Sequence, residues 1–447
     1  MAGTAKSTVA KLPAAARRIQ RIYLILLLGN TLAASFIWGI NTLFLLDAGL
    51  TNLEAFAANA FFTAGMVIFE VPTGVVADTM GRRASYLLGT LTLSAGTVLY
   101  WLMWMWSAPF WAWAVVSVVL GLGFTFFSGA VEAWLVDALR ASGYDGELEP
   151  VFSKGLMVSG AAMLLGSVAG GVLAQATDLG VPFLVRAGVL VVMFVVAFLV
   201  MRDLGFTPDR SQRPLGAVRT LFRSSLTHGL GNPPVRYLML AAPFTAGVGI
   251  YVFYALQPYL LELWGDEEAY SIAGLAAAIV AGSQIAGGFL APAVRRLFRK
   301  RTTTMLLSAA AGVALLLSLG LTKDFWVALL LLTAWGVTSA IGEPVGQAYI
   351  NDLIPSKQRA TVLSFDSLMG NVGGVAIQPA LGRTADLAGY PFSLVVSGAI
   401  SAVALPFLFL SRRQNAAADT AIGESTPAPQ DAPAPMPDAQ RDADRER

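Results

Sequence analysis

The chain has 447 residues, 56% of them hydrophobic and only 13% charged, with a formal net charge of +2. A soluble domain of that length needs far more charge to cover its surface, so the apolar excess must face lipid. The near-neutral balance argues neither for nor against an anionic partner, and the lack of cysteine removes disulfides, thiolate metal sites and thiol nucleophiles.

The first 21 residues carry Lys6, Lys11, Arg17, Arg18 and Arg21 ahead of an apolar run over 19–46. That run is too long for a signal-peptide core and no small-residue cleavage site follows it, so it reads as a retained first membrane helix. A bilayer core of about 30 Å takes roughly 20 helical residues per crossing. This length test predicts twelve helices, near 20–46, 52–79, 84–106, 109–139, 151–176, 181–202, 234–263, 268–294, 303–321, 325–353, 358–385 and 390–411. Only Thr322-Lys323-Asp324 divides the ninth from the tenth.

In the first helix Asn30, Trp38 and Asn41 share one broad face. In the second, Asn59, Thr63, Met66 and Glu70 recur at three- or four-residue steps. A carboxylate in hydrocarbon is costly and normally faces a cavity or a partner. Glu70 is therefore either a proton carrier or a structural acid bonded to a neighbouring backbone. Trp101, Trp104, Trp106, Trp111 and Trp113 cluster at the second external turn and mark the membrane interface. In the fourth helix Glu132 and Asp137 are five apart and cannot serve one site. Asp137 reads as a partner of Arg140, three residues on; Glu132 lies deeper and is the second coupling candidate.

Arg186 and Arg383 fall near the outer ends of the sixth and eleventh helices, where they are expected to snorkel or pair at the interface. The segment 204–232 is the longest internal stretch that is not apolar, and it holds the one histidine, His228. In the seventh helix Tyr251, Tyr254 and Gln257 step by three before Pro258. In the tenth, Glu343, Gln347 and Asn351 step by four beside a kink expected at Pro344. Aromatic and amide groups of this kind suit an amphiphilic organic solute. The expected cavity-lining residues are Asn30, Trp38, Asn41, Asn59, Tyr254, Gln257, Glu343 and Gln347. Residues past 413, rich in Ala, Pro, Asp and Arg, read as a disordered tail.

Arg and Lys gather in the even-numbered turns, from Arg82 and Arg83 through Arg295, Arg296, Arg299, Lys300 and Arg301. The positive-inside rule then puts both termini in the cytoplasm of a cell inner (plasma) membrane protein. The expected division is an N-terminus (1–17), a six-helix bundle (18–203), a central cytoplasmic loop (204–232), a second six-helix bundle (233–412) and the tail (413–447). The halves show a weak repeat: Glu132-Ala-Trp134-Leu-Val-Asp137 in the fourth helix matches Gln347-Ala-Tyr349-Ile-Asn-Asp352 in the tenth. A six-plus-six repeat is one architecture of secondary transporters.

The second-to-third turn reads Gly74-Val-Val-Ala-Asp78-Thr-Met-Gly81-Arg82-Arg83. It resembles the loop motif of the major facilitator superfamily, G-x-L-A-D-x-x-G-R-K/R, with Val76 at the usual Leu. The resemblance spans about 18–412 and implies an all-α membrane protein of twelve helices in two six-helix bundles. By analogy with the family, Asp78 accepts from the amides that open the eleventh helix near Ser356-Lys357, and Gly74, Asp78, Gly81, Arg82 and Arg83 latch the halves. The reading without a latch is topological: Arg82 and Arg83 anchor the loop inside. Two departures weaken likeness to the bacterial drug and metabolite proton antiporters. The fourth helix lacks their internal Arg, and the fifth has Gly166-Ser167-Val-Ala-Gly170-Gly171 where they carry G-P-x-x-G-G.

No phosphate-binding loop, metal cluster, hydrolytic triad or nucleic-acid motif is present, so neither enzyme chemistry nor a cofactor is expected. The expected function is proton-coupled efflux of a small amphiphilic solute by a monomer working by alternating access. The alternative is a proton symporter importing a sugar or organic acid; a third reading is a membrane sensor or scaffold. An organic acid calls for Arg or Lys deep in a cavity, and the sequence pattern places none there.

Overall fold

The computed structural model describes residues 13–127, 129–208, 216, 229–354 and 359–420. Among them eleven helices are long and apolar enough to cross a membrane, and the last, over 362–413, is long enough for two crossings. The twelve crossings are thus present, but several are broken or fused where the sequence suggested single rods. The first crossing is α1 (Ala14–Trp38) plus α2 (Asn41–Asp47). It breaks at Gly39, where a Cβ would stand 2.8 Å from the Cα of Gly274 in the other half. Next come α3 (Asn52–Met80) and α4 (Arg82–Met105). The fourth crossing is α5 (Phe110–Thr125) and α6 (Ala130–Ala141), separated at Gly129, whose φ of 69° is left-handed. The first half ends with α7 (Glu149–Ala176) and α8 (Val181–Val200).

The second half runs through α9 (Pro233–Trp264), α10 (Tyr270–Leu297), α11 (Arg301–Leu321) and α12 (Phe325–Leu353). It closes with α13 (Arg359–Ala402), which bends at Gly389, and α14 (Ala404–Arg413). Within the halves α1 packs along α7 and α9 along α13; between them α3 meets α13 and α7 meets α10. The latter seams are glycine-rich, as expected where helices associate by close approach rather than by hydrophobic burial. A Cβ on Gly274 would sit 2.5 Å from the Ser167 carbonyl and 2.9 Å from the Gly171 Cα.

The weak sequence repeat becomes a repeated cluster at the arginine-rich end. In the first half Arg82 pairs with Asp78 at 2.7 Å and approaches Asp137 at 4.0 Å. In the second, Arg301 pairs with Asp352, the counterpart of Asp137, at 2.6 Å. A carboxylate following the last helix of each half caps the third. Asp203 accepts the Arg83 amide at 2.9 Å. Asp419 accepts the Thr302 amide and hydroxyl, both at 2.8 Å. Anions at a helix start satisfy its orphan amides and its dipole.

Three expectations change here. Asp137 does not pair with Arg140, which instead reaches Asp145 at 3.5 Å. The tail does not begin at 413: the 3-10 turn Ala417–Asp419 packs against α12 and caps α11, with Asp419 almost fully buried. Trp113 is no interface marker, being wholly buried against Phe44 and Tyr100. Most of 204–232, with His228, lies outside the described residues.

Candidate functional site

The halves are tied together at the arginine-poor end. The Asp386 carboxylate accepts the amides of Asn52 and Leu53, both at 2.9 Å, and so caps α3 from across the interface. Tyr390 also donates to Asn52. Gln257 accepts the Thr42 amide at 3.0 Å and donates to the Trp38 carbonyl at 2.7 Å, filling the break between α1 and α2.

Behind this closure lies a cavity of about 490 Å³ walled by both halves. Trp38, Asn41, Asn59, Thr63 and Met66 line it from one side, Tyr254, Phe253, Gln284 and Asn371 from the other. Asn41 donates to Asn59 at 3.0 Å, and the Asn59 Nδ2 is buried with no partner of its own. A second chamber of about 570 Å³ continues within the second half, sharing Phe253, Gln284 and Asn371 with the first. Glu343, Gln347 and Asp366 line it, and it reaches Met305, Ile350 and Leu408 toward the arginine-rich end. Gln347 donates to Glu343 at 3.4 Å.

Two expected lining residues lie off both walls. Asn30 is held inside its own half, accepting from the Tyr86 hydroxyl at 2.9 Å. Gln257 is 3% exposed and serves as the strut described above. Glu70 continues the Asn59–Met66 face one turn further, exposed and beyond the cavity wall. Glu132 is half-buried near Tyr23 and sits in the first turn of α6, a placement that the break at Gly129 creates and that suits an acid.

The loop motif belongs to the first half in this structure. Gly81 has φ 102°, and Asp203 occupies the space a Cβ would need. Arg83 donates to the Phe198 carbonyl at 2.6 Å. Gly74 faces open space, and Asp78 is partly exposed beside Arg82. The expected partner of Asp78, at Ser356-Lys357, lies outside the described residues.

Sequence reasoning missed Phe253, Gln284 and Asn371 on this wall, and the arginine among its lining residues. Arg186 does not snorkel; it is 9% exposed and lines the central cavity. The segment is apolar all round, so its inner face shows only in the fold: Phe183, Arg186, Leu190, Met193 and Ala197 are buried at three- and four-residue steps. Val191, Val195, Phe198 and Leu199 cover the lipid-facing side.

Three comparisons bear on this arrangement. The family model described as Major Facilitator Superfamily matches residues 23–337 and 271–435. An uncharacterized MFS-type transporter of Methanocaldococcus jannaschii is 20% identical over 371 residues, 82% of this chain and 92% of its own length. Among solved structures, the nucleoside transporter NupG superposes with a TM-score of 0.72 at 11% identity, covering 89% of this chain and 99% of its own. The POT family transporter PepTSo gives 0.70 at 13%, covering 90% and 99%. A D-xylose-proton symporter gives 0.66 at 17%, covering 89% and 98%. At these identities the structures speak for the fold alone.

Proposed function

Because the chain belongs to the major facilitator superfamily of membrane transporters, not enzymes, we propose that it moves a small amphiphilic organic solute through the central cavity by alternating access, as a proton-coupled exporter. The supporting observation is the asymmetry of the cavity. Asp386, Tyr390 and Gln257 tie the arginine-poor end shut, while the chambers extend toward the other end. With the arginine-rich end in the cytoplasm of the plasma membrane, as the positive-inside rule favours, this is the inward-open stage of a rocking cycle. The aromatic and amide walls suit stacking and adaptable hydrogen bonding. Glu70, Glu132, Glu343 and Asp366 are the carboxylates to test for proton coupling.

Import of a polar organic acid by proton symport is the second reading. Arg186 favours it, because it supplies the buried cation that the sequence pattern did not place in a cavity.

Proteoliposomes under an imposed pH gradient test both readings. Gradient-driven flux of dyes, drugs or metabolites is expected, and its direction separates exporter from importer. Silence across a broad panel removes the transport reading.

A further inference from the structure

The central cavity is most demanding at its closed end, where α8 brings Arg186. A guanidinium taken out of water is strongly disfavoured unless it is paired. Among the described residues no salt bridge includes Arg186, and its Nε is buried with no hydrogen-bond partner. Its electrostatic neighbours are the phenols of Tyr254 and Tyr100, one from each half. Neither is a carboxylate, and Tyr100 is already bonded to Ser117. The same wall holds a second buried donor without a partner, the Asn59 Nδ2. The acidic side chains of the site, Glu343 and Asp366, line the adjoining chamber in the second half and not this one. One end of the cavity therefore offers unsatisfied donors and a positive charge between aromatic rings.

We propose that Arg186 is the anchor for an oxyanion, a carboxylate or phosphate carried by the transported solute, with the solute's apolar body against Trp38, Phe253 and Tyr254. This rests on the transport reading above and narrows its solute to an amphiphilic organic anion. A planar guanidinium takes an oxyanion through two parallel N–H bonds, a geometry that lysine lacks. The bound anion neutralises a charge that the described residues leave without a carboxylate partner. Because Arg186 and Tyr254 come from different halves, the anion would also bear on the closure of this end.

The test is a binding measurement that needs no flux. Thermal unfolding of the purified full chain in detergent is followed with matched probes: benzoate, phenylacetate and hexanoate, their neutral amides, phenyl phosphate, and benzylammonium. At least one acid or the phosphate ester is expected to raise the unfolding midpoint while its amide and the ammonium do not. Arg186→Gln is expected to weaken that ligand by at least about tenfold. Arg186→Lys is expected to keep the preference for acid over amide at lower affinity, and it carries the test should the Gln variant not fold. Which head group acts, carboxylate or phosphate, names the source of the oxyanion. The proposal is overturned if amides or ammonium stabilise as well as acids, if no anion of the panel binds, or if Arg186→Gln responds like the wild type. Anion binding without flux in any proteoliposome assay would sink the transport reading alone. Flux of neutral or cationic solutes, unchanged in Arg186→Gln, would sink the anion alone.

Discussion

The conformation rests on a few polar side chains that reach across the interface. Asp386 is exposed, so its two bonds to the α3 amides are worth on the order of 1 kcal/mol and not the full strength of buried charged bonds. Asp386→Ala is expected to shift the population toward the outward-open state by roughly fivefold. The chain has no cysteine, so an impermeant maleimide applied from outside reports this cleanly, through faster labelling of Thr63→Cys. Gly81 is a harsher site, because its φ of 102° coincides with Asp203 in the space a side chain needs. Gly81→Ala is expected to cost about 1–3 kcal/mol and to lower the thermal unfolding midpoint. Both Gly81 and the Asp78–Arg82 pair were legible from the spacing of one motif. Arg186 was not: position along a helix says how deep a side chain lies, whereas the direction it faces depends on which helices pack around it.

At the level of elements, the glycine seams decide how far the halves can slide. Gly274 meets Gly39, Ser167 and Gly171 at once, so a branched side chain there separates α7 from α10. Gly274→Leu is expected to insert normally but to lose at least about tenfold in flux, read in the same proteoliposomes against a membrane-yield control. Apolar length alone gave the number of crossings and most of their ends, including the short turn between α11 and α12. The interruptions were less legible. Gly39 and Gly129 break crossings whose hydropathy is unbroken, since apolar composition records contact with lipid and not the backbone angles imposed by a partner helix. Glu132 shows the cost, since what read as an acid deep in a continuous rod lies in the first turn of α6.

For the molecule as a whole, rigid halves moving about a central cavity predict that fixing one end stops the cycle. A Cβ built on Gly39 would lie 3.3 Å from the Ala277 Cβ, a little under the separation a disulfide spans, and 2.8 Å from the Gly274 Cα. α10 must therefore give by a few tenths of an ångström, and flux is compared with that of the reduced double variant. The double variant Gly39→Cys/Ala277→Cys is expected to cross-link under mild oxidant, with flux falling to background and returning on reduction. Unchanged flux in the fully oxidised protein, checked by mobility on a gel, would show that this end need not open.

The cap that Asp419 places on α11 carries a structural role past the last apolar helix. Asp419 lies six positions beyond Arg413, where that helix ends. A truncation at that helix end, or a purification handle fused there, would leave the Thr302 amide without its acceptor and cost about 1 kcal/mol. Shortening the protein after Thr420 would spare this clasp, and comparing the heat tolerance of the two cut forms measures what it contributes.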